Sequence, residues 1–456
     1  MQGNKFSGAL PGLNWVRRLQ KEKGLGRDLK ENKEHKENAG EPSLHFHAFL
    51  YRVRFVGAGL KPAPTRDINR LSGWFVSFQR EHGIKAKMKP HSLLKNLGVL
   101  LAGCLVALIV LEVLLRAYNP LEIRFRPDRI VLPVNKRYVI DNAGKFTKLP
   151  PATLHTKNRL GFRGQAPPRD FRDCLTIITI GGSTTECFYL SDGRTWPDLL
   201  GENLSRDFNR VWVNNAGLDG ATTYRHLILM EDYVVTLRPK VVLFLIGIND
   251  VGAGNLEAAA TPPEHYLRRR WRALLYRSEV YALGQNLSRY FLAQSRGLHH
   301  TQVDLRTAGT LDQPSGAASR MWRDYETGSL PFFAARLEKL VKVCRDHGIE
   351  PVLITQPTLY GPGVDPVTGV DLEAMKVGAH NGRFMFQVID LYNGVTRQVA
   401  QTNGVLLIDL ARDLPRDSAL YYDYLHYTEP GAAAVAGIVA RRLKPFLAAG
   451  YPSFKK

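Results

Sequence analysis

Leu175-Thr176-Ile177-Ile178-Thr179-Ile180-Gly181-Gly182-Ser183-Thr184-Thr185-Glu186 is the stretch that decides the fold. Its first six residues are an apolar, β-branched run of the length a buried strand needs. Two glycines break the run, and a serine follows at the strand's carboxyl end. Far downstream, Asp423-Tyr424-Leu425-His426 lies in an aromatic, polar loop ahead of the last helical pattern. A serine hydroxyl attacks poorly unless a base takes its proton. Imidazole titrates near neutral pH, and a carboxylate three positions earlier can hold its ring. Together the two segments supply a nucleophile, a base and the base's orienting acid, the parts of an ester-cleaving site.

Outward from that strand the chain alternates. Strand-like runs lie at 175–180, 211–214, 240–246, 351–355 and 405–408, with helical patterns at 195–206, 223–236, 332–346 and 384–402. A last helix is expected over 429–447, with Thr428 as its cap and Glu429 and Pro430 in its first turn. Strands separated by helices predict a five-stranded parallel sheet covered on both faces, a three-layer α/β/α sandwich. Ligands of such sheets gather beyond the carboxyl ends of the strands. Ser183 follows the first strand, Gly220 the second and Asn249 the third, and Asp423 and His426 come after the fifth. Residues 251–330 break the alternation and read as an insertion that covers or borders this edge, a possible lid. Within it, His299-His300 lacks partner ligands at metal-binding spacing. The Arg268-Arg269-Arg270 and Arg272 cluster reads as a solvated helix face, or as a patch for an anionic substrate or lipid headgroups. Glu186 and Asp192 read as surface polar groups.

Four blocks in this order, Gly181-Gly182-Ser183-Thr184-Thr185-Glu186, Asn214-Asn215-Ala216-Gly217-Leu218-Asp219-Gly220, Gly247-Ile248-Asn249-Asp250 and Asp423-Tyr424-Leu425-His426, resemble those of the SGNH (GDSL-type) hydrolase superfamily. The resemblance covers about residues 158–448, the insertion excepted. It implies the flavodoxin-like fold of that superfamily, and Ser183 as nucleophile, His426 as general base and Asp423 as its acid. It also implies an oxyanion hole from the Ser183 and Gly220 backbone N–H groups and the Asn249 amide, with no metal or organic cofactor. One departure stands out: the usual Asp before the serine is Gly182 here. The Gly-x-Ser-x-Gly elbow of α/β-hydrolases is absent, because Thr185 takes the second glycine's place.

Leu97 to Leu111 is an uncharged apolar run, and the whole span from Ser92 to Ala117 is long enough for one helix to cross a hydrocarbon core of roughly 30 Å. Arg80, Lys85, Lys87, Lys89 and Lys95 precede it; Arg116, Arg124, Arg126 and Arg129 follow. A single early span before one large domain predicts a signal anchor with the amino terminus inside the cell. Leu101-Ala102-Gly103-Cys104 also fits a lipobox, but strongly apolar sequence continues beyond Cys104, where a mature lipoprotein begins polar. The formal charge is +20, of which residues 1–87 carry +9. No basic stripe interleaved with aromatics appears, so nucleic acid is not an expected partner. Cys104, Cys174, Cys187 and Cys344 show no zinc spacing; free thiols are expected, with a Cys174–Cys187 bridge as the alternative.

The expected layout is a leader over 1–87, disordered or a mis-called translation start before Met88; an anchor over 92–117; a linker and entry segment over 118–170; and a hydrolase domain over 171–450. The expected activity is hydrolysis of an acyl ester through a seryl-acyl intermediate, on envelope carbohydrate or lipid outside a bacterial cytoplasmic membrane. An O-acyltransferase using the same triad and an inactive envelope-binding protein are the two alternatives. Oligomeric state is not legible.

Overall fold

The computed structural model describes residues 90–118, 125–126, 129–256, 275–295, 300–312 and 321–456. The leader over 1–87, the Arg268–Arg272 cluster and His299 lie outside the described residues.

In chain order, α1 is Pro90–Ala117, β1 Lys136–Asp141, β2 Ala152–Lys157, β3 Leu175–Gly181, α2 Trp196–Ser205, β4 Val211–Asn215 and α3 Thr223–Leu229. Then follow β5 Val241–Leu245, α4 Glu279–Ser295, α5 Leu330–Asp346, β6 Glu350–Ile354, β7 Lys376–Val377, β8 His380–Asn381, α6 Gly382–Asn403, β9 Leu406–Ile408 and α7 Glu429–Gly450. The central sheet runs β4-β3-β5-β6-β9, parallel throughout. This is the expected three-layer α/β/α arrangement with flavodoxin-like strand order.

Every residue of β3 and β5 is buried, as strands covered on both faces must be. On one face Ile177, Val241, Leu243 and Val352 pack with Trp196 and Leu200 of α2 and Val439 and Leu443 of α7. On the other, α5 lies against β6 with α3 and α6 beside it. Local signals set the helix ends. The Thr195 side chain accepts from the Asp198 N–H at the start of α2, Asn381 from Phe384 at the start of α6, and Thr428 from Gly431 at the start of α7. Gly404, at φ +59, stops α6 in the left-handed conformation.

The stretch expected as a linker contains an antiparallel pair, β1 with β2. Its inward face carries Thr153, His155 and Lys157, all buried. All four cysteines are free, with Cys104 exposed and the others buried.

Two buried imidazoles are held neutral. Burial pushes His155 down from the ordinary 6.5 to about 3, helped by the neighbouring Arg163 and Lys157 charges, and pushes His226 of α3 down to about 4. Below 6.5 the unfolded chain binds protons that the folded chain refuses. Stability should therefore fall with pH across the interval from 6.5 to about 4 for His226 and to about 3 for His155. The expected slope is about 1.4 kcal/mol per pH unit for each histidine. Denaturation midpoints followed across that interval check this, and a flat profile contradicts it.

Candidate active site

The sheet order reverses between β3 and β5, so the loops after these strands part there and leave a crevice at their carboxyl ends. Ser183 opens a single helical turn, Ser183–Glu186, directly after β3. Space dictates the two glycines before it. A Cβ on Gly181 would lie 2.4 Å from the Leu245 carbonyl oxygen, and one on Gly182 would lie 2.4 Å from the Asn249 Nδ2. A side chain at 182 would thus displace the Asn249 amide, which fits glycine at the position where the superfamily usually carries Asp.

The far end of that turn is tied down from three sides. Trp196 Nε1 donates to the Thr184 carbonyl at 3.1 Å and Asn215 Nδ2 to the Thr185 carbonyl at 2.7 Å. Arg163 donates to the carbonyls of Glu186 at 3.0 Å and Cys187 at 2.6 Å. Carbonyls at a helix end lack partners within the helix, so these side chains supply what the short turn cannot.

His426 stands opposite. Its Nε2 lies 2.7 Å from Ser183 Oγ and its Nδ1 2.6 Å from Asp423 Oδ2. The other Asp423 oxygen, Oδ1, accepts from the backbone N–H groups of Leu425 at 2.8 Å and His426 at 2.7 Å. All three side chains are buried. Burial raises the Asp423 carboxyl, but the His426 charge and hydrogen bond, His300 and the Leu425 N–H outweigh it. The net result lies below the ordinary carboxylate value.

Gly220 and Asn249 lie in the loops after β4 and β5, and Asn249 reaches Gly182, the residue before the serine. Gly220 sits at φ +65, where a side chain would be strained. Asn249 Nδ2 donates to the Ala221 carbonyl at 3.1 Å, which fixes which end of its amide faces the crevice. Asp250 is buried and accepts from the Thr223 N–H and hydroxyl, pinning the loop after β5 to the start of α3.

Five residues near the serine were not legible as parts of the site. Glu186, expected at the surface, is fully buried. Lys157 Nζ meets it at 2.9 Å, and its Oε2 accepts from the Asp219 N–H at 2.6 Å. Gly217 allows this closure, since a Cβ there would lie 2.3 Å from the Glu186 nitrogen. Arg163, fully buried, also meets Asp192 at 3.0 Å, so neither acid is a plain surface group. The insertion contributes His300, whose ring centroid lies 4.1 Å from that of His426. Its Nδ1 is 2.7 Å from the Tyr422 hydroxyl and its Nε2 3.3 Å from Asp219 Oδ2. Burial lowers the His300 titration point, but the Asp219 and Asp423 carboxylates overcome this and the net direction is upward.

His300, Asp423 and His426 bring three metal-ligand-type atoms within 4.8 Å of one another. Both nitrogens of each imidazole already face hydrogen-bond partners.

A family model described as GDSL-like Lipase/Acylhydrolase matches residues 179–434. The chain belongs to this family. It is accordingly a serine hydrolase acting on ester bonds. No curated protein matches the chain. Among solved structures, it is similar to an acetylxylan esterase from Geobacillus stearothermophilus (a catalytic mutant). The identity is 18%, the match covers 59% of this chain and 93% of that one, and the TM-score is 0.34. It is also similar to the acetyl xylan esterase AlAXEase (17% identity, 58% and 96% covered, TM-score 0.33). A GDSL-like lipase from Bacteroides thetaiotaomicron matches at 12% identity, with 63% and 93% covered and a TM-score of 0.32. The family span starts inside β3, so the Arg163 and Lys157 contacts come from residues that precede it.

Proposed function

We propose that Ser183 is the nucleophile of this esterase, His426 its general base and Asp423 the acid that orients His426. The observation that carries this reading is the unbroken line from Asp423 Oδ2 through His426 to Ser183 Oγ, with links of 2.6 and 2.7 Å. Ser183 Oγ attacks the ester carbonyl as His426 Nε2 takes its proton. The tetrahedral oxyanion is received by the Ser183 and Gly220 N–H groups and by the hydrogen of the Asn249 amide not given to Ala221. Collapse expels the alcohol, which takes the proton back from His426 and leaves a seryl ester; water, activated by the same imidazole, then frees the acid.

Asn249→Ala should lower kcat by about 10²–10³ with KM little changed, because the oxyanion exists only after attack. Steady-state kinetics on an aryl acetate check it; a loss confined to KM would remove Asn249 from the oxyanion hole.

The substrate proposed is an acyl ester of envelope carbohydrate or lipid, met outside the cytoplasmic membrane. Support comes from the apolar segment Lys95–Ala117, long enough to cross a bilayer, with most of its large apolar side chains exposed. A serine-directed fluorophosphonate applied to the full chain and to Ser183→Ala tests the nucleophile. Labelling lost in the variant supports the assignment, and equal labelling of both refutes it. Product analysis with a polysaccharide acceptor separates hydrolysis from acyl transfer.

A further inference from the structure

Helix α4, in the insertion, is built onto the end of the apolar helix α1. Glu112 of α1 accepts from the Ser278 hydroxyl at 2.8 Å and from the Glu279 and Val280 N–H groups at 3.0 and 3.1 Å, so it caps α4. Arg116 donates to the Arg277 carbonyl at 3.0 Å, and Arg126 grips both oxygens of Glu279 at 2.7 Å. Asn286 Nδ2 donates to the Phe125 carbonyl at 2.8 Å. The start of α4 is therefore fixed within the last turns of α1.

On α4, Leu287, Tyr290 and Phe291 are spaced to share one side of the helix, and they are 46%, 53% and 65% exposed. Three large apolar side chains held in water on one stripe cost hydration free energy with no return. If α1 crosses a bilayer, the start of α4, held by Glu112 and Arg116, lies near the level where the bilayer ends. Aromatic residues collect at that level, and amphipathic helices lie there with the apolar side down.

We propose that α4 is a membrane-surface helix, its Leu287, Tyr290 and Phe291 side chains seated in the headgroup–acyl boundary. This rests on the reading of α1 as a membrane span. At 17 residues, α4 is about 25 Å long. His300, five positions beyond Ser295, lies against His426. The helix on the bilayer thus leads directly into the catalytic crevice, and substrate esters are taken from molecules held at, or anchored in, the same leaflet.

The test uses the full chain in lipid vesicles. Bimane is placed on Phe291→Cys in a Cys104→Ser background, and separately on native Cys104, which is exposed within the span. Lipids carrying a nitroxide high on the acyl chain should remove about half or more of the emission from position 291. Deep nitroxides should quench position 104. Tyr290→Cys provides a second reporter, and unchanged aryl-acetate hydrolysis shows that each variant is folded. Quenching at 104 without quenching at 291 or 290 overturns the proposal and leaves the span standing. Quenching at neither depth removes the span and the proposal with it. Emission at 291 that shifts with protein concentration but ignores lipid nitroxides assigns the stripe to a second copy of the chain and overturns the proposal.

Discussion

Asp423→Asn should lower kcat at neutral pH by about 10⁴, with the His426 ring still in place. The argument turns on where the amide must put its two ends. The Asp423 oxygen Oδ1 accepts from two backbone N–H groups, those of Leu425 and His426. An asparagine keeps those bonds only by presenting its carbonyl oxygen to them, which turns its NH₂ toward His426 Nδ1. That nitrogen must then accept, so the imidazole proton moves to Nε2, the atom 2.7 Å from Ser183 Oγ. A base that already carries its proton cannot take another from serine. The variant should also gain rate as pH rises and hydroxide deprotonates serine directly. Kinetics as a function of pH, together with a structure of the variant, check both parts. Near-normal turnover would show that Asp423 does not set the tautomer.

Glu186→Ala should destabilise the folded protein by about 3–5 kcal/mol, because it leaves the buried Lys157 ammonium without its carboxylate. The Asp219 N–H loses its acceptor in the same change, and Asp219 adjoins Gly220, a proposed oxyanion donor. Activity in the fraction that folds should fall through kcat, since the displaced donor matters after attack. Glu186→Gln combined with Lys157→Met removes both charges while keeping a carbonyl for Asp219. It should recover most of the stability and most of kcat. Denaturant unfolding and kinetics on both variants measure this. An equal loss in the double variant would mean that the buried charge pair is not the source of the cost.

The elements that sequence could locate are those whose burial is apolar. Val241–Leu245 has no polar residue and can only be an interior strand, and Thr428 and Pro430 mark the start of α7 through capping and first-turn chemistry. The residues proposed for the triad and oxyanion hole could be named because Ser183, Gly220 and Asn249 follow β3, β4 and β5 at one edge of the sheet, whereas Asp423 and His426, well beyond β9, stand out by their own Asp-x-x-His spacing. The β1–β2 hairpin was hidden for the opposite reason. Its inward positions are Thr153, His155 and Lys157, so alternation in burial has no counterpart in alternating hydropathy. Glu186 and Asp192 were misjudged because a charge reads as exposed until its partner is known, and their partners Lys157 and Arg163 each lie 29 positions away. His300 gave no usable signal: its value depends on Asp219 and Tyr422, at 81 and 122 positions' separation.

The placement of Lys157 and Arg163 limits where the molecule can be cut. A recombinant fragment trimmed to residues 179–434, the span its relatives define, would open partway through β3 and close partway through α7. It would retain Ser183, Asp423 and His426, yet it would discard both cations that clamp the turn carrying the serine. Glu186 would be left as an interior anion with its countercharge deleted. An inactive or insoluble product from such a fragment would report the missing hairpin and say nothing about the chemistry. The shortest piece worth expressing starts upstream of Lys136 and runs through the end of α7.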